Sequence, residues 1–176
     1  FFPTRTFRAM TGQDGGTTSV DDEFAKAGFE NIGAWILGRN MFGPIRGDWG
    51  DENWQGWWGD EPPYRVPVFV LTQYPRKALS IDGGTPFHFV TGGIQEALSR
   101  ANAAANGKDV RVGGGASTIR QYLEAKLLDA MHLAFAPMLM GNGENLLAGL
   151  NLPALGYRIS RYVASDNALH VVVTRS

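Results

Sequence analysis

An α/β fold with a mixed sheet is predicted from three features of the chain. Short apolar runs alternate with segments of helical periodicity. The run Val110-Arg111-Val112 passes through a triple-glycine turn into a helix start at Ala116-Ser117-Thr118. Two β-rich segments, 157–165 and 168–174, meet at Asp166-Asn167 and read as an antiparallel hairpin.

Taken in order, residues 1–18 are polar and carry Gly12, Gly15 and Gly16, which reads as an irregular arm. A helix is expected from Ser19 to about Asn31. Asp22 would be its capping-box partner, and Asp21 and Glu23 would complement the dipole. Ala34-Trp35-Ile36-Leu37 is a continuous apolar run, the pattern of a strand covered on both faces. Residues 38–42 turn out of it. Residues 43–67 form one long loop holding Pro44, Pro62, Pro63 and Pro67 and the tryptophans Trp49, Trp54, Trp57 and Trp58. Its aromatic content argues against disorder.

Strands follow at 68–72 and 87–90. Thr91 is placed as the cap of a helix carrying Ile94, Ala97, Leu98 and Ala101, which Asn106-Gly107 stops. After the 110–112 strand and the glycine turn, Ile119, Tyr122, Leu123 and Leu127 make a helical stripe. Residues 131–135 are a strand, and 141–143 a loop before the hairpin. No repeat or boundary divides the chain, so 1–176 reads as a single domain.

Composition narrows the function. The 176 residues are 44% hydrophobic and 19% charged, as in globular chains. Sixteen basic against seventeen acidic residues leave a formal charge of -1, with no electrostatic footprint for nucleic acid or an anionic membrane. There is no cysteine, hence no disulfide, thiolate zinc site or cysteine nucleophile. No apolar run has the length of a membrane span. The opening Phe1-Phe2-Pro3-Thr4-Arg5 does not read as a signal peptide, and a cytoplasmic location is the expectation.

The glycine turn is the feature that points to chemistry. Glycines permit backbone conformations closed to other residues, and the bare amides of a helix start attract phosphate. A phosphate-binding loop ending in Gly-Lys-Ser/Thr is excluded, because no lysine stands there. G-x-G-x-x-G is excluded as well, since Thr118 occupies the last glycine position. The ligand read from the turn is a nucleotide pyrophosphate, and the plain alternative is a tight turn with no ligand.

Ligands of open α/β sheets bind beyond the carboxyl ends of parallel strands. Three such ends carry polar or glycine-rich turns, namely Gly38-Arg39, Thr72-Gln73 and Gly113 to Thr118. If these strands are parallel neighbours, the turns line one edge. Arg39 would then fork onto a phosphate, and Thr72 and Gln73 would reach the ribose side. A surface salt bridge is the other reading of Arg39. Trp49, Trp57 and Trp58 are candidates to stack on a flat substrate, or else cover the core or a subunit contact. His88, His132 and His170 lie inside apolar strand patterns and are read as structural, with no metal site.

The residues also carry a family likeness. Trp35-Ile36-Leu37-Gly38-Arg39-Asn40-Met41 resembles the strand-Gly-Arg-x-Thr element of dihydrofolate-reductase-like proteins. The stretch from Val112 to Asp129 resembles their glycine turn and following helix. Met131-His132-Leu133 with the Pro137 to Gly143 loop resembles the reductase domain of bacterial riboflavin biosynthesis.

The resemblance implies a dihydrofolate-reductase-like three-layer α/β/α fold with a mixed, mostly parallel twisted sheet and a C-terminal antiparallel hairpin. It implies NADPH as cofactor and hydride transfer to a pyrimidine- or pteridine-like heterocycle. The activity would be like that of 5-amino-6-(5-phosphoribosylamino)uracil reductase or of dihydrofolate reductase. By position, Gly38, Arg39 and Met41 would approach the cofactor phosphates, Thr72 and Gln73 its adenosine end. Gly113, Gly114, Gly115, Ala116, Ser117 and Thr118 would wrap its pyrophosphate.

Met41 stands where relatives have threonine, removing one phosphate hydrogen bond. Relatives also open with an apolar strand and Ser-x-Asp-Gly, not found at the start of this sequence. No catalytic acid is therefore named, and Asp14, Asp21 and Asp22 are candidates by elimination only. A homodimer through the apolar hairpin is expected. The alternative function is a non-catalytic nucleotide-binding homodimer of the same fold.

Overall fold

The computed structural model describes residues 3–50, 53–81 and 84–176. In chain order its elements are α1 (Arg5–Met10), α2 (Val20–Ala27), β1 (Ile32–Gly38), α3 (Arg39–Phe42), β2 (Val68–Leu71), β3 (Leu79–Ser80), β4 (Pro86–Val90), α4 (Gly93–Ala105), β5 (Asp109–Val112), α5 (Ala116–Glu124), β6 (Ala130–Phe135), β7 (Tyr157–Ala164) and β8 (Leu169–Arg175). They divide into two compact units. Asn31–Gln121 makes one, and Tyr122–Ser176 with the described residues up to Glu30 makes the other.

The unit of residues 31–121 is a five-stranded sheet in the order β3-β4-β2-β1-β5. β4, β2, β1 and β5 run parallel, and the two-residue β3 adds an antiparallel edge. Register and alternation sort the side chains between two faces. Ile36 and Phe69 are paired, as are Phe69 and His88, and this face takes α4, with Arg100 lying over the Phe69 ring. Ala97, Ala101 and Ala105 of α4 are fully buried, so small side chains let the helix sit close. At the helix end a Cβ on Gly33 would lie 2.4 Å from the Ala105 carbonyl oxygen.

Trp35, Leu37, Val68, Val70, Phe87 and Phe89 make the opposite face, and among the described residues of this unit no long helix covers it. Phe42, Trp49 and Tyr64 do so with rings. Phe42 meets Phe87 and Phe89 edge-on at 5.3 and 5.2 Å, Trp49 meets Phe89 at 5.1 Å, and Tyr64 meets Trp35 at 5.0 Å. The aromatic load of the long loop is thus explained by cover of an open sheet face, at contact geometries favoured by aromatic pairs.

The other unit carries a three-stranded antiparallel sheet, β6-β8-β7. The terminal hairpin is present, and β6 joins it instead of the parallel strands. Two expectations for the N-terminal segment change. The stretch 1–18 is not wholly irregular, because α1 forms with Thr4 as its cap, the Thr4 hydroxyl accepting from the Phe7 N–H, and Thr4 bridges to Thr17. Ser19 makes no side-chain cap on α2, and Asp22 accepts from the Thr6 N–H at 2.7 Å where a capping box was expected. Likewise Gly92, not Thr91, caps α4. Among the described residues no helix is long and apolar enough to cross a membrane.

Candidate functional site

The parallel pairing of β2, β1 and β5 brings the three turns to one edge of the sheet. Gly38 pairs with Leu71, and Ile36 with Val112, so Arg39, Thr72 and Gly113 follow neighbouring strand ends. The Gly38 N–H donates to the Gly114 carbonyl at 2.6 Å and the Gly113 N–H to Ile36 at 2.9 Å, stitching the glycine turn to β1.

The three glycines have different surroundings. A Cβ on Gly113 would lie 2.6 Å from the Leu37 side chain, which would have to shift to admit it. Gly114 has φ +112° and faces the Met41 side chain from 3.6 Å; its peptide bond to Gly115 is cis. A Cβ on Gly115 would meet nothing within 4 Å. Thr118 is buried, and its hydroxyl lies against Gly38, where a Cβ would come within contact distance of it. Ser117 is exposed. The Ile119 N–H makes the first helical bond, onto Gly115, which leaves the amides ahead of it at the open helix start.

Arg39 follows β1 directly. Its guanidinium lies 3.9 Å from the centre of the Trp49 ring and 5.0 Å from that of Tyr74. Its Nε and Nη2 are buried without a hydrogen-bond partner. Burial is the main cause that lowers its pKa from the ordinary value, with Arg46 adding to the effect and Tyr74 and Asp48 opposing it. Among the described residues no surface salt bridge accounts for Arg39. Thr72 spends its hydroxyl locally, accepting from the Tyr74 N–H at 3.1 Å, while Gln73 is exposed.

The three candidate tryptophans separate. Trp49 is packed among Arg39, Phe42 and Phe89, and its Nε1 donates to the Tyr74 carbonyl at 3.0 Å. Trp57 and Trp58 are 56% and 43% exposed and flank a cleft with Leu37, Met41, Gln55 and Tyr64. The lining side chains fill the cleft, so a ring enters only if they shift. Gln55 Oε1 is buried there without a partner.

The hairpin unit holds a network that sequence reasoning missed. Asp21 is buried, and its Oδ1 lies 2.7 Å from His170 Nε2. It also accepts from the Ser165 hydroxyl at 2.6 Å, and its Oδ2 accepts from Asn167 at 3.0 Å. His170 Nδ1 is 3.0 Å from His132 Nε2, and Phe24 stacks on both imidazoles. The hydrogen bonds from His170 and Ser165 pull the Asp21 carboxyl down to about 2. The three acids left by elimination thus have different duties: Asp21 anchors this network, Asp22 holds Thr6, and the Asp14 carbonyl accepts from Arg8. Nothing local announces a pair 149 residues apart. The one sequence signal is a histidine amid valines on an alternating strand. Among the described residues no group of three metal-binding side chains is arranged to hold an ion.

A family model described as the RibD C-terminal domain matches residues 5–171. No curated protein matches the chain. Among solved structures, a candidate riboflavin biosynthesis protein from Shewanella sp. PV-4 is similar with TM-score 0.60 and 21% identity, over 86% of this chain and 78% of that one. Dihydrofolate reductase from Enterococcus faecalis, complexed with NADP(H) and RAB-propyl, has TM-score 0.55 and 15% identity, over 94% and 86%. A diaminohydroxyphosphoribosylaminopyrimidine deaminase/5-amino-6-(5-phosphoribosylamino)uracil reductase from Thermotoga maritima has TM-score 0.55 and 14% identity; the match covers 94% of this chain but only 52% of that one. The fold is dihydrofolate-reductase-like.

Proposed function

Because the chain belongs to the RibD C-terminal domain family, we propose that it is an NADPH-dependent reductase delivering hydride to a pyrimidine- or pteridine-like heterocycle. The single observation that carries this reading is the β2-β1-β5 edge. There the open side of the glycine turn and two unpartnered Arg39 donors follow adjacent strand ends. Both features suit an anionic dinucleotide, since helix-start amides and a guanidinium fork each receive phosphate oxygens. The dihydrofolate reductase of similar fold is itself complexed with NADP(H).

In this reading the amides from Gly115 to Thr118 take the pyrophosphate, Arg39 a further phosphate, and exposed Gln73 the adenosine side. The bound cofactor supplies the hydride, while the protein holds and orients the reactants. Met41 packs beneath Gly114 and shapes the turn instead of contributing a hydrogen bond. The cleft beside Trp57 and Trp58 accepts the heterocycle, where Gln55 Oε1 can accept from a ring N–H. The 176 residues act as one reductase domain. They work as a homodimer through the hairpin sheet, on which Phe135, Ile159, Tyr162 and Leu169 are exposed.

Gly115→Val tests the cofactor site. Its side chain enters open space, so urea unfolding should match the unaltered protein while NADPH quenching of tryptophan fluorescence is lost. Unchanged quenching in the variant would remove the glycine turn from the cofactor site. No quenching of the unaltered protein at millimolar NADPH would remove the reductase reading.

A further inference from the structure

We propose that Asn142 is a site of spontaneous covalent modification, where the Gly143 main-chain nitrogen closes on the Asn142 amide, expels ammonia and leaves an aspartyl or isoaspartyl carboxylate. This goes beyond the reductase reading and does not depend on it.

An asparagine followed by glycine is the pairing most open to this reaction, because no side chain on the second residue obstructs its nitrogen. The chain has two such pairs, Asn106-Gly107 and Asn142-Gly143. The residues of both pairs are exposed, so water reaches each of them. Local geometry separates the two.

Asn106 ends α4 as its cap, with φ 50° and ψ 50°. Tetrahedral geometry at Cα then sets the Gly107 nitrogen nearly anti to Asn106 Cβ, out of reach of the side-chain amide. The Lys108 N–H donates to the Ala105 carbonyl at 3.1 Å across this cap, so the ring cannot close until the turn opens.

Asn142 has the opposite disposition. The Gly143 N–H donates to Asn142 Oδ1 at 2.8 Å, which brings the nitrogen to the same side as Cβ. Cγ, the atom to be attacked, is bonded to that oxygen. Rotation about the Cβ–Cγ bond presents the carbonyl face without moving Cγ, so the pair is already folded for a five-membered ring. It lies in the connection between β6 and β7, outside helix and strand. A Cβ on Gly143 would meet nothing within 4 Å, which leaves room for the ring to form.

Water is the only other reactant. Hydroxide removes the Gly143 amide proton and the nitrogen bonds to Cγ. The Cγ–Nδ2 bond breaks, and the leaving nitrogen takes a proton from water to depart as ammonia. Water then adds to either carbonyl carbon of the cyclic imide. Opening at Cγ gives aspartate; opening at the main-chain carbonyl gives isoaspartate, whose backbone runs through Cβ and Cγ. Nothing is oxidised or reduced. Each product adds one negative charge to a loop that also carries exposed Met138, Leu139 and Met140.

The test incubates the full chain at mildly alkaline pH, folded and in urea, and follows both asparagines by peptide mass spectrometry. In the folded protein Asn142 should convert at least about 10-fold faster than Asn106, whereas in urea the two should convert at similar rates. Isoaspartate should accompany aspartate at 142. Gly143→Val, whose side chain enters open space, should slow conversion at 142 about 10-fold with an unchanged urea midpoint. The comparison of the two sites in the unaltered protein stands even if that variant folds poorly. Equal rates at 106 and 142 in the folded protein overturn the proposal, as does conversion at 142 only in urea. Aspartate at 142 without isoaspartate overturns the ring closure.

Discussion

Asp21→Asn should destabilise the protein by about 2–4 kcal/mol at neutral pH, with a pH dependence that identifies the cause. The carboxyl falls from 3.8 to about 2 on folding, chiefly through the hydrogen bonds from His170 and Ser165. Undamped, that fall corresponds to about 2 kcal/mol, and solvent screening reduces it to nearer 1 kcal/mol. The amide adds a second cost. Asn167 and His170 both aim donors at the carboxylate, on different oxygens. With the amide oxygen kept on His170 the new NH₂ meets the Asn167 NH₂, and the reverse orientation requires His170 to move its proton to Nδ1; either change costs about 1–3 kcal/mol.

The sign follows from the lowered pKa. Asp21 contributes its full stability above the unfolded value near 4, and loses it as pH falls through the folded value of about 2. Urea unfolding of both proteins at pH 7, 5 and 2 measures this. The gap between them should persist from pH 7 to pH 5 and shrink by about 1–2 kcal/mol at pH 2. A gap below 1 kcal/mol at pH 7, or one that is flat down to pH 2, would refute the role given to the charge.

Two further outcomes are expected. Gly33→Ala places its Cβ 2.4 Å from the Ala105 oxygen and 2.7 Å from Ala105 Cα. Backbone cannot swing aside, so chemical denaturation should register a loss of about 1–3 kcal/mol or more. Tyr162→Asp sets a charge on a side chain that is 74% exposed in the hairpin sheet. Sedimentation should show the variant as monomer and the unaltered protein as dimer, with the urea midpoint of a dilute sample unchanged. A monomeric unaltered protein would end the homodimer reading.

The parts of the fold readable in advance are those whose physics is local. β1 and β2 hold unbroken apolar runs, β4 is an apolar run interrupted by His88, and β5 is marked by the glycine turn that follows it. The parallel order then forces their ends onto one edge, which is why the candidate phosphate residues could be grouped before any coordinates. What escaped depends on partners distant in the chain. The α1 segment Arg-Thr-Phe-Arg-Ala-Met has no apolar stripe, and is held by its Thr4 cap and by Thr17. Asp21 sits among acids that look like ordinary helix-start residues, and only the return of β8 shows its duty. The tryptophan loop announced order by composition, but which face it covers depends on the register of strands on either side of it.

The glycine turn shows how one motif can hide two requirements. Read as sequence, Gly113, Gly114 and Gly115 form a uniform cradle. In space, Leu37 fills the place of a side chain at 113, Met41 packs against 114, and only 115 faces open space. The first two glycines let the turn close onto β1; the third leaves the helix-start amides accessible. Met41 is then the apolar support of the positive-φ residue. If the turn holds the cofactor, a side chain at 113 should disturb packing and cofactor affinity together, whereas one at 115 should lower affinity alone. Only a turn that both packs and binds separates the two positions in that way; a purely structural turn would leave 115 silent in every assay.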